Sequence, residues 1–165
     1  MKLRTICLSV MFIFLTGCMA MQPVKWKDTR TVNTIKISTL EIETLVDVPE
    51  HELEFMRTDI KNRLSHAQFW SEEPSEYTLK VTIDTYEEGN AFARAILIGL
   101  GQMHLNGSVE LLAGDPPKVV KSGYFEKNYV AGGIAGATAT MHKDVVVKLG
   151  SAIIEALKHP SKKES

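Results

Sequence analysis

The sequence predicts an α+β domain with the element order β-α-β-β-β-α, a mostly antiparallel sheet and two helices on one face of that sheet. Three observations support this class. Apolar and polar residues alternate along several stretches, as in strands with one buried face. In two other stretches apolar residues recur every three or four positions, as on amphipathic helices. A Gly-Asp-Pro-Pro turn signal separates the last two alternating stretches, which makes them a hairpin.

The first alternating stretch, residues 31–43, predicts a strand that contains a bulge. Ile35 and Ile37 share one face, but the next apolar residue is Leu40, one position out of phase. An extra residue near Ser38–Thr39 would reconcile the two halves of the strand.

A helix is predicted from Pro49 to Ala67. Asp47 is expected to cap it, because Glu50 follows three residues later and Pro49 is tolerated in a first turn. The residues expected to face the core are Leu53, Met56, Ile60, Leu64 and Ala67. The residues expected to face solvent are Glu52, Glu54, Arg57, Lys61 and Arg63.

The second half of the chain predicts three more strands, at residues 77–84, 103–111 and 119–130, and a final helix at 141–158. Strands that follow one another with short turns pair antiparallel, so these three should form a meander. Both helices should then cover the same face of the sheet. The expected core stripe of the final helix is Val146, Leu149, Ile153 and Leu157.

Length and charge indicate a single globular domain and argue against a nucleic-acid-binding protein. The chain has 165 residues, which fits a single domain, and its hydrophobic content of 44% is that of an ordinary globular protein. Lys and Arg number 19 against 20 Asp and Glu, for a net charge of −1. Since general nucleic-acid binding requires a basic excess, we expect no nucleic-acid partner.

The N-terminus has the three parts of a secretory signal peptide. A basic start at residues 1–4 precedes a short apolar run at 6–15, and small residues follow at a cleavage site. The apolar run is about half of the roughly 20 residues that a membrane-spanning helix needs. The predicted organisation is a signal peptide at 1–17, a lipidated tether at 18–30, one periplasmic domain at 31–159 and a polar tail at 160–165.

Residues Leu15, Thr16, Gly17 and Cys18 closely resemble the lipobox of bacterial lipoproteins. In that family the signal peptidase cuts before the cysteine, whose sulfur carries a diacylglyceryl group. The resemblance implies cleavage between Gly17 and Cys18 and a membrane anchor through lipid on Cys18. Because Met19 rather than Asp follows, it also implies the outer membrane, with the domain facing the periplasm. An ordinary signal peptide with a chance cysteine is the alternative.

No residue pattern indicates a catalytic, metal or cofactor site. The five histidines form no HxxxH or HExxH pair, and Cys7 would leave with the signal peptide. Gly99 and Gly101 lack the third glycine of a dinucleotide fingerprint, and no GxSxG elbow is present. We therefore expect a protein without enzymatic activity, without a cofactor and without a metal.

Two apolar segments rich in small residues, 91–101 and 130–141, have two interpretations. They can pack on each other as a buried turn and the start of a helix. Alternatively, they form an exposed patch for self-association or membrane contact. In the second case the candidate interaction residues are Arg94, Gly99, Gly101, Gly132, Gly133 and Gly136.

Taken together, these features resemble a known group of lipoproteins. A lipobox, Arg94 ahead of Gly99–Gly101, a strand-turn-strand around Gly114–Asp115, a Gly-rich link and a final amphipathic helix resemble the lipoproteins grouped as domain of unknown function 4410. The resemblance covers about residues 31–158. More distantly, the element order resembles periplasmic domains of the TolB N-terminal type. The resemblance to domain of unknown function 4410 implies a fold and an envelope location, and it implies no activity. Gln102 departs from the pattern, because small residues are common there.

The function expected from the sequence is that of a lipid-anchored module for protein interaction or envelope assembly. Its partner would be another envelope protein or a second copy of the chain. The alternative is a domain that binds a small ligand or the cell wall through the strand face that carries Lys80, Thr82, His104 and Asn106. A hydrolase is the least favoured of the three.

Overall fold

The described residues form a five-stranded sheet with helices packed on one face, which confirms the α+β class. A computed structural model describes residues 24–27, 35–96, 101–129 and 140–158. The strand order is β1-β5-β4-β3-β2. The strands are β1 (Lys25–Lys27), β2 (Ile37–Thr44), β3 (Tyr77–Glu87), β4 (Met103–Ala113) and β5 (Lys118–Tyr129).

The helices are α1 (Glu50–His66), the short α2 (Ala91–Ile96) and α3 (Val147–Lys158), which continues from a π-helical turn at Met141–Val146. α1 and α3 pack against each other and against the same face of the sheet. The predicted element order is therefore present, with β1, α2 and the π-helical turn added to it. β1 lies within residues 18–30, so the sheet begins inside the segment that was predicted to be a tether.

Strands β3, β4 and β5 form the predicted antiparallel meander. β2 pairs parallel to β3, since α1 carries the chain back across the sheet between them. The bulge predicted in β2 is also confirmed. Ile37 pairs with Tyr77 and Thr39 pairs with Thr78, which leaves Ser38 as the extra residue.

The core lies between the sheet and the two long helices. Alternate residues of β3 and β4 point into it, and Phe125 of β5 is 1% exposed. Met56, Ile60 and Leu64 of α1 are buried there as predicted, with Leu53 and Ala67 half-buried against them. The predicted stripe of the last helix is also buried: Val146, Leu149, Ile153 and Leu157.

The predicted start of α1 is wrong in one respect. The helix begins at Glu50 behind an extended Pro49, and no side chain caps it, Asp47 included. The Pro49 carbonyl instead accepts the Leu53 N–H at 3.2 Å. Glu50 and Glu52 in the first turn supply the negative charge that the helix dipole favours, so a side-chain cap is not required.

Two residues assigned to the solvent face of α1 lie elsewhere. Glu52 is only 5% exposed, and its charge adds to the burial that raises the pKa of Tyr86 on β3. Arg63 is half-buried under α3, where its Nη1 donates to the Ser151 Oγ at 2.8 Å. Its Nε donates to Asp59 Oδ2 at 2.7 Å, so a polar contact fastens the helix crossing.

Candidate functional site

We call one end of the sheet the arm end. It is the end where β3 stops, β4 starts and β5 stops. The strand register aligns Glu87 of β3, His104 of β4 and Asn128 of β5 across it. The hairpin end is the opposite one, where residues 114–117 join β4 to β5.

The arm is the connection between β3 and β4, residues 88–102, described except for 97–100. Its base is closed where the Asn90 N–H donates to the Gly101 carbonyl at 3.2 Å. Gly89 and Gly101 both have φ of +66°, and a Cβ on Gly101 would lie 2.3 Å from the Asn90 carbonyl oxygen. Gly101, predicted as a contact residue, therefore has a backbone role: it permits the close crossing at the base.

The helix α2 displays apolar side chains at the arm. The Asn90 Oδ1 accepts the Ala93 N–H at 3.0 Å and so starts the helix. Phe92 is 74% exposed and Ile96 is 60% exposed. Four residues apart, they share one face of the helix. These two side chains are therefore not buried as the first interpretation of segment 91–101 expects, and residues 97–100 of that segment lie outside the described residues.

Most of the other candidate residues lie outside the part of the chain that the structure describes. This applies to the lipidation and cleavage positions Cys18 and Gly17. It also applies to Gly99, to Gly132, Gly133 and Gly136, and to the side chain of Arg94.

The face of the sheet opposite the core, which we call the open face, carries polar pairs that cross the strands. Lys80 Nζ lies 2.7 Å from Glu43 Oε2, and this carboxylate raises the Lys80 pKa. His104 Nδ1 lies 2.6 Å from Asn128 Oδ1. The Asn128 amide donates in turn to Glu126 Oε1 at 2.8 Å. His104 Nε2 lies 3.9 Å from Glu87 Oε2, so the histidine stands between an amide and a carboxylate.

The four residues proposed from the sequence for a ligand face all lie on the open face. Lys80 and Thr82 alternate with buried residues of β3, and His104 and Asn106 alternate with buried residues of β4. The Asn106 Oδ1 is buried, and within the described residues nothing bonds to it. Nearby Tyr124 is half-exposed, and desolvation, together with Asp84 and Glu126, raises its pKa.

The described ranges contain neither a metal-ion cluster nor a membrane-spanning helix. Within those ranges, no group of three or more His, Cys, Asp or Glu side chains is arranged to hold a metal ion. Among the helices of the same ranges, none has the length and apolar character to cross a membrane.

Sequence reasoning missed two buried lysines on the core side of β5. Lys121 is 5% exposed and Lys127 is 4% exposed. Burial lowers the pKa of both, and the charge of Lys148 on α3 lowers that of Lys127 further. The signal was present in the alternation of β5, because Phe125 and Lys127 are two residues apart and must share a face.

Comparison with known proteins supports the fold. No protein-family model and no curated protein matches the sequence. Among solved structures, the PelC dodecamer from Paraburkholderia phytofirmans aligns with a TM-score of 0.54 and 12% identity, over 79% of this chain and 98% of that one. A single-residue variant of that PelC dodecamer aligns with a TM-score of 0.53 and 12% identity, over 79% of this chain and 95% of that one.

A "putative lipoprotein" from Caulobacter crescentus CB15 also aligns, with 21% identity and a TM-score of 0.38, over 70% of this chain and 86% of that one. At these identities the PelC likeness shows a shared fold alone. The resemblance to domain of unknown function 4410 and to TolB N-terminal domains therefore still rests on the residues given above.

Proposed function

We propose that the protein is a lipid-anchored lipoprotein of the outer membrane that faces the periplasm and acts by binding copies of itself or another envelope protein. The observation that carries the proposal is the sequence Leu15-Thr16-Gly17-Cys18 behind a short apolar run. This arrangement supplies both a cleavage site and a thiol for the lipid.

The fold fits a domain held close to its anchor. The sheet starts at Lys25, seven residues after Cys18. A fully extended chain of that length spans about 25 Å. The lipid would therefore hold the domain near the membrane surface, where partners in the same membrane are concentrated.

Self-association is supported by a shared fold. The chain has the fold of PelC of Paraburkholderia phytofirmans, which forms a dodecamer.

The proposal includes no catalytic reaction. What supports this part of the proposal is that the histidine on the open face already has two polar neighbours, although histidine is the residue most often used for acid-base chemistry. His104 faces an amide and a carboxylate, Asn128 and Glu87, rather than a hydroxyl or thiol that it could activate.

Labelling with radioactive palmitate in a Gram-negative host tests the anchor. The wild-type chain should incorporate the label and fractionate with the outer membrane, and Cys18→Ser should lose the label. Cys7→Ser is the matched control, because it removes the other cysteine but leaves the lipobox intact, and its labelling should equal that of the wild type. Equal labelling of Cys18→Ser and wild type would contradict the anchor.

Sedimentation of the purified, labelled protein in detergent tests self-association. We expect a discrete species of several copies, which a short amine-reactive cross-linker converts into a ladder. A monodisperse monomer that also cross-links to no envelope protein in intact cells would refute the interaction role.

A second candidate function, binding of the cell wall or a small ligand at the open face, is favoured by the unbonded Asn106 Oδ1. A buried acceptor without a hydrogen bond lowers the stability of the fold, so a ligand that donates a hydrogen bond to it would bind favourably. Co-sedimentation with purified peptidoglycan tests this function. Binding that Asn106→Leu weakens and Ser122→Ala leaves unchanged would support it, and equal sedimentation with and without peptidoglycan would exclude cell-wall binding.

A further inference from the structure

We propose that the arm inserts Phe92 and Ile96 into the same membrane surface that holds the lipid on Cys18, as a second attachment point. The proposal rests on the proposed lipid anchor and adds to it a named protein-lipid contact. It also commits to lipid, rather than to a second copy of the chain, as what covers the exposed face of α2.

The direction of β1 places the anchor at the arm end. β1 runs antiparallel to β5, with Lys25 opposite Tyr124 and Lys27 opposite Ser122. The chain before Lys25 therefore leaves the sheet in the direction of Tyr129, the last residue of β5. Tyr129 pairs with Met103, the residue at which the arm returns to the sheet.

The length of chain between the anchor and the sheet favours the arm end. Val24 lies six residues after Cys18, and a fully extended chain of that length spans about 21 Å. Val24 precedes Lys25 by one residue and so corresponds to Phe125. Phe125 is four residues, or about 13 Å of strand, from the arm end at Tyr129. It is seven residues, or about 23 Å of strand, from the hairpin end at Lys118, and the chain before Lys25 leaves the sheet in the other direction. The anchor therefore reaches the arm end with length to spare, whereas the hairpin end lies at the limit of a fully extended chain.

The two ends differ in the side chains that they expose. Phe92 and Ile96, 74% and 60% exposed, lie beyond the strands at the arm end. At the hairpin end the exposed tip is Gly114–Lys118, with one exposed apolar residue, Val119, at its base. The end that the anchor can bring to the membrane is therefore the one with a helix face of large apolar residues.

The charges at the arm give no net electrostatic attraction to anionic lipid. Arg94 is outweighed by Glu87 and Glu88 at the base of the arm, which are both exposed and which anionic headgroups would repel. Binding should therefore depend on the burial of Phe92 and Ile96, should occur on uncharged lipid and should change little with salt.

Quenching by lipids with brominated acyl chains tests the insertion. The full, lipidated chain is reconstituted into phosphatidylcholine vesicles as wild type, Phe92→Trp and Val119→Trp. Wild type supplies the background from Trp26 and Trp70, and Val119→Trp is the matched control at the hairpin end. The emission added by Phe92→Trp should fall at least twofold with brominated lipid, and that added by Val119→Trp should not change.

The outcomes separate the arm from the anchor and from self-association. Equal quenching of the two variants in a chain that incorporates palmitate would overturn the insertion and leave the anchor intact. If the chain with Cys18 intact incorporates no palmitate and Phe92→Trp is still quenched, the result would support the insertion and contradict the anchor. If Phe92→Ser lowers the mass of the detergent-solubilised protein and Phe92→Trp is not quenched, the arm joins two copies and the insertion is wrong.

Discussion

The core face and the open face of the sheet differ sharply, although the same strands build both. Phe125 is 1% exposed and its neighbour Tyr124 is 50% exposed, because successive side chains of a strand point to opposite faces. The core face is covered by α1 and α3 and consists mainly of packed apolar groups. The open face consists of pairs such as Lys80–Glu43 and His104–Asn128. Stability therefore resides on one face, and the other face is left available for recognition.

The largest effect should come from truncation of the core face. Phe125→Ala removes a fully buried ring and should lower the free energy of unfolding by about 3–5 kcal/mol. Tyr124→Ala, one residue away, removes a half-exposed ring and should lower it by less than about 1 kcal/mol. Urea unfolding of both variants measures the difference. Similar decreases in the free energy of unfolding of the two variants would mean that both faces of the sheet contribute equally to stability.

A smaller effect, of opposite sign, should come from the buried charge on the core face. Burial holds the pKa of Lys127 below that of an exposed lysine, so the folded chain resists the charged form. Lys127→Met keeps the length of the apolar stem and should raise the free energy of unfolding at pH 7 by on the order of 1 kcal/mol.

The sign of the pH dependence follows from linkage. Between the lowered folded pKa of Lys127 and its unfolded value of 10.5, the unfolded chain binds more protons, so wild-type stability rises with pH through that window. The advantage of Lys127→Met should therefore be largest at neutral pH and shrink as the pH approaches 10.5. Thermal unfolding against pH measures it, with Lys118→Met as the exposed control on the same strand. A pH-independent advantage would show that packing rather than charge is responsible.

The smallest effect should come from the open face. Lys80 and Glu43 form a close pair, but solvent screens it, so Lys80→Met should leave the urea midpoint nearly unchanged. Any change should diminish further in 0.5 M salt, where the screening length is only about 4 Å. A large, salt-independent loss of stability would mean that the open face contributes to the fold as the core face does.

Periodicity explains why so much of the fold was predictable. The burial of Met56, Ile60 and Leu64 follows from their helical spacing, and the bulge at Ser38 follows from a break in strand alternation. Both signals are local, since they depend only on which residues share a face of one element.

Contacts between distant elements explain what was missed. Glu52 was placed in solvent because helical spacing cannot show which distant elements cover a helix position, and in the folded chain Glu52 is 5% exposed. Asp47 was expected to cap α1 from its spacing to Glu50, but the chain bends so that Pro49 takes the cap position. The strand β1 has only three residues, too few for a period, and it exists because β5 offers it an edge.

The sequence by itself determined six of the elements, the face of each that is mainly buried, and the lipobox that predicts the membrane anchor. These are properties of neighbouring residues along the chain, where apolar spacing and small-residue motifs act directly. Only the tertiary structure decided that the arm exposes Phe92 and Ile96, and that β1 starts on the side that faces the same end of the sheet. The physical reason is that strand pairing sets the direction of each segment, and pairing joins residues about a hundred positions apart in the chain, as Lys25 and Tyr124 show.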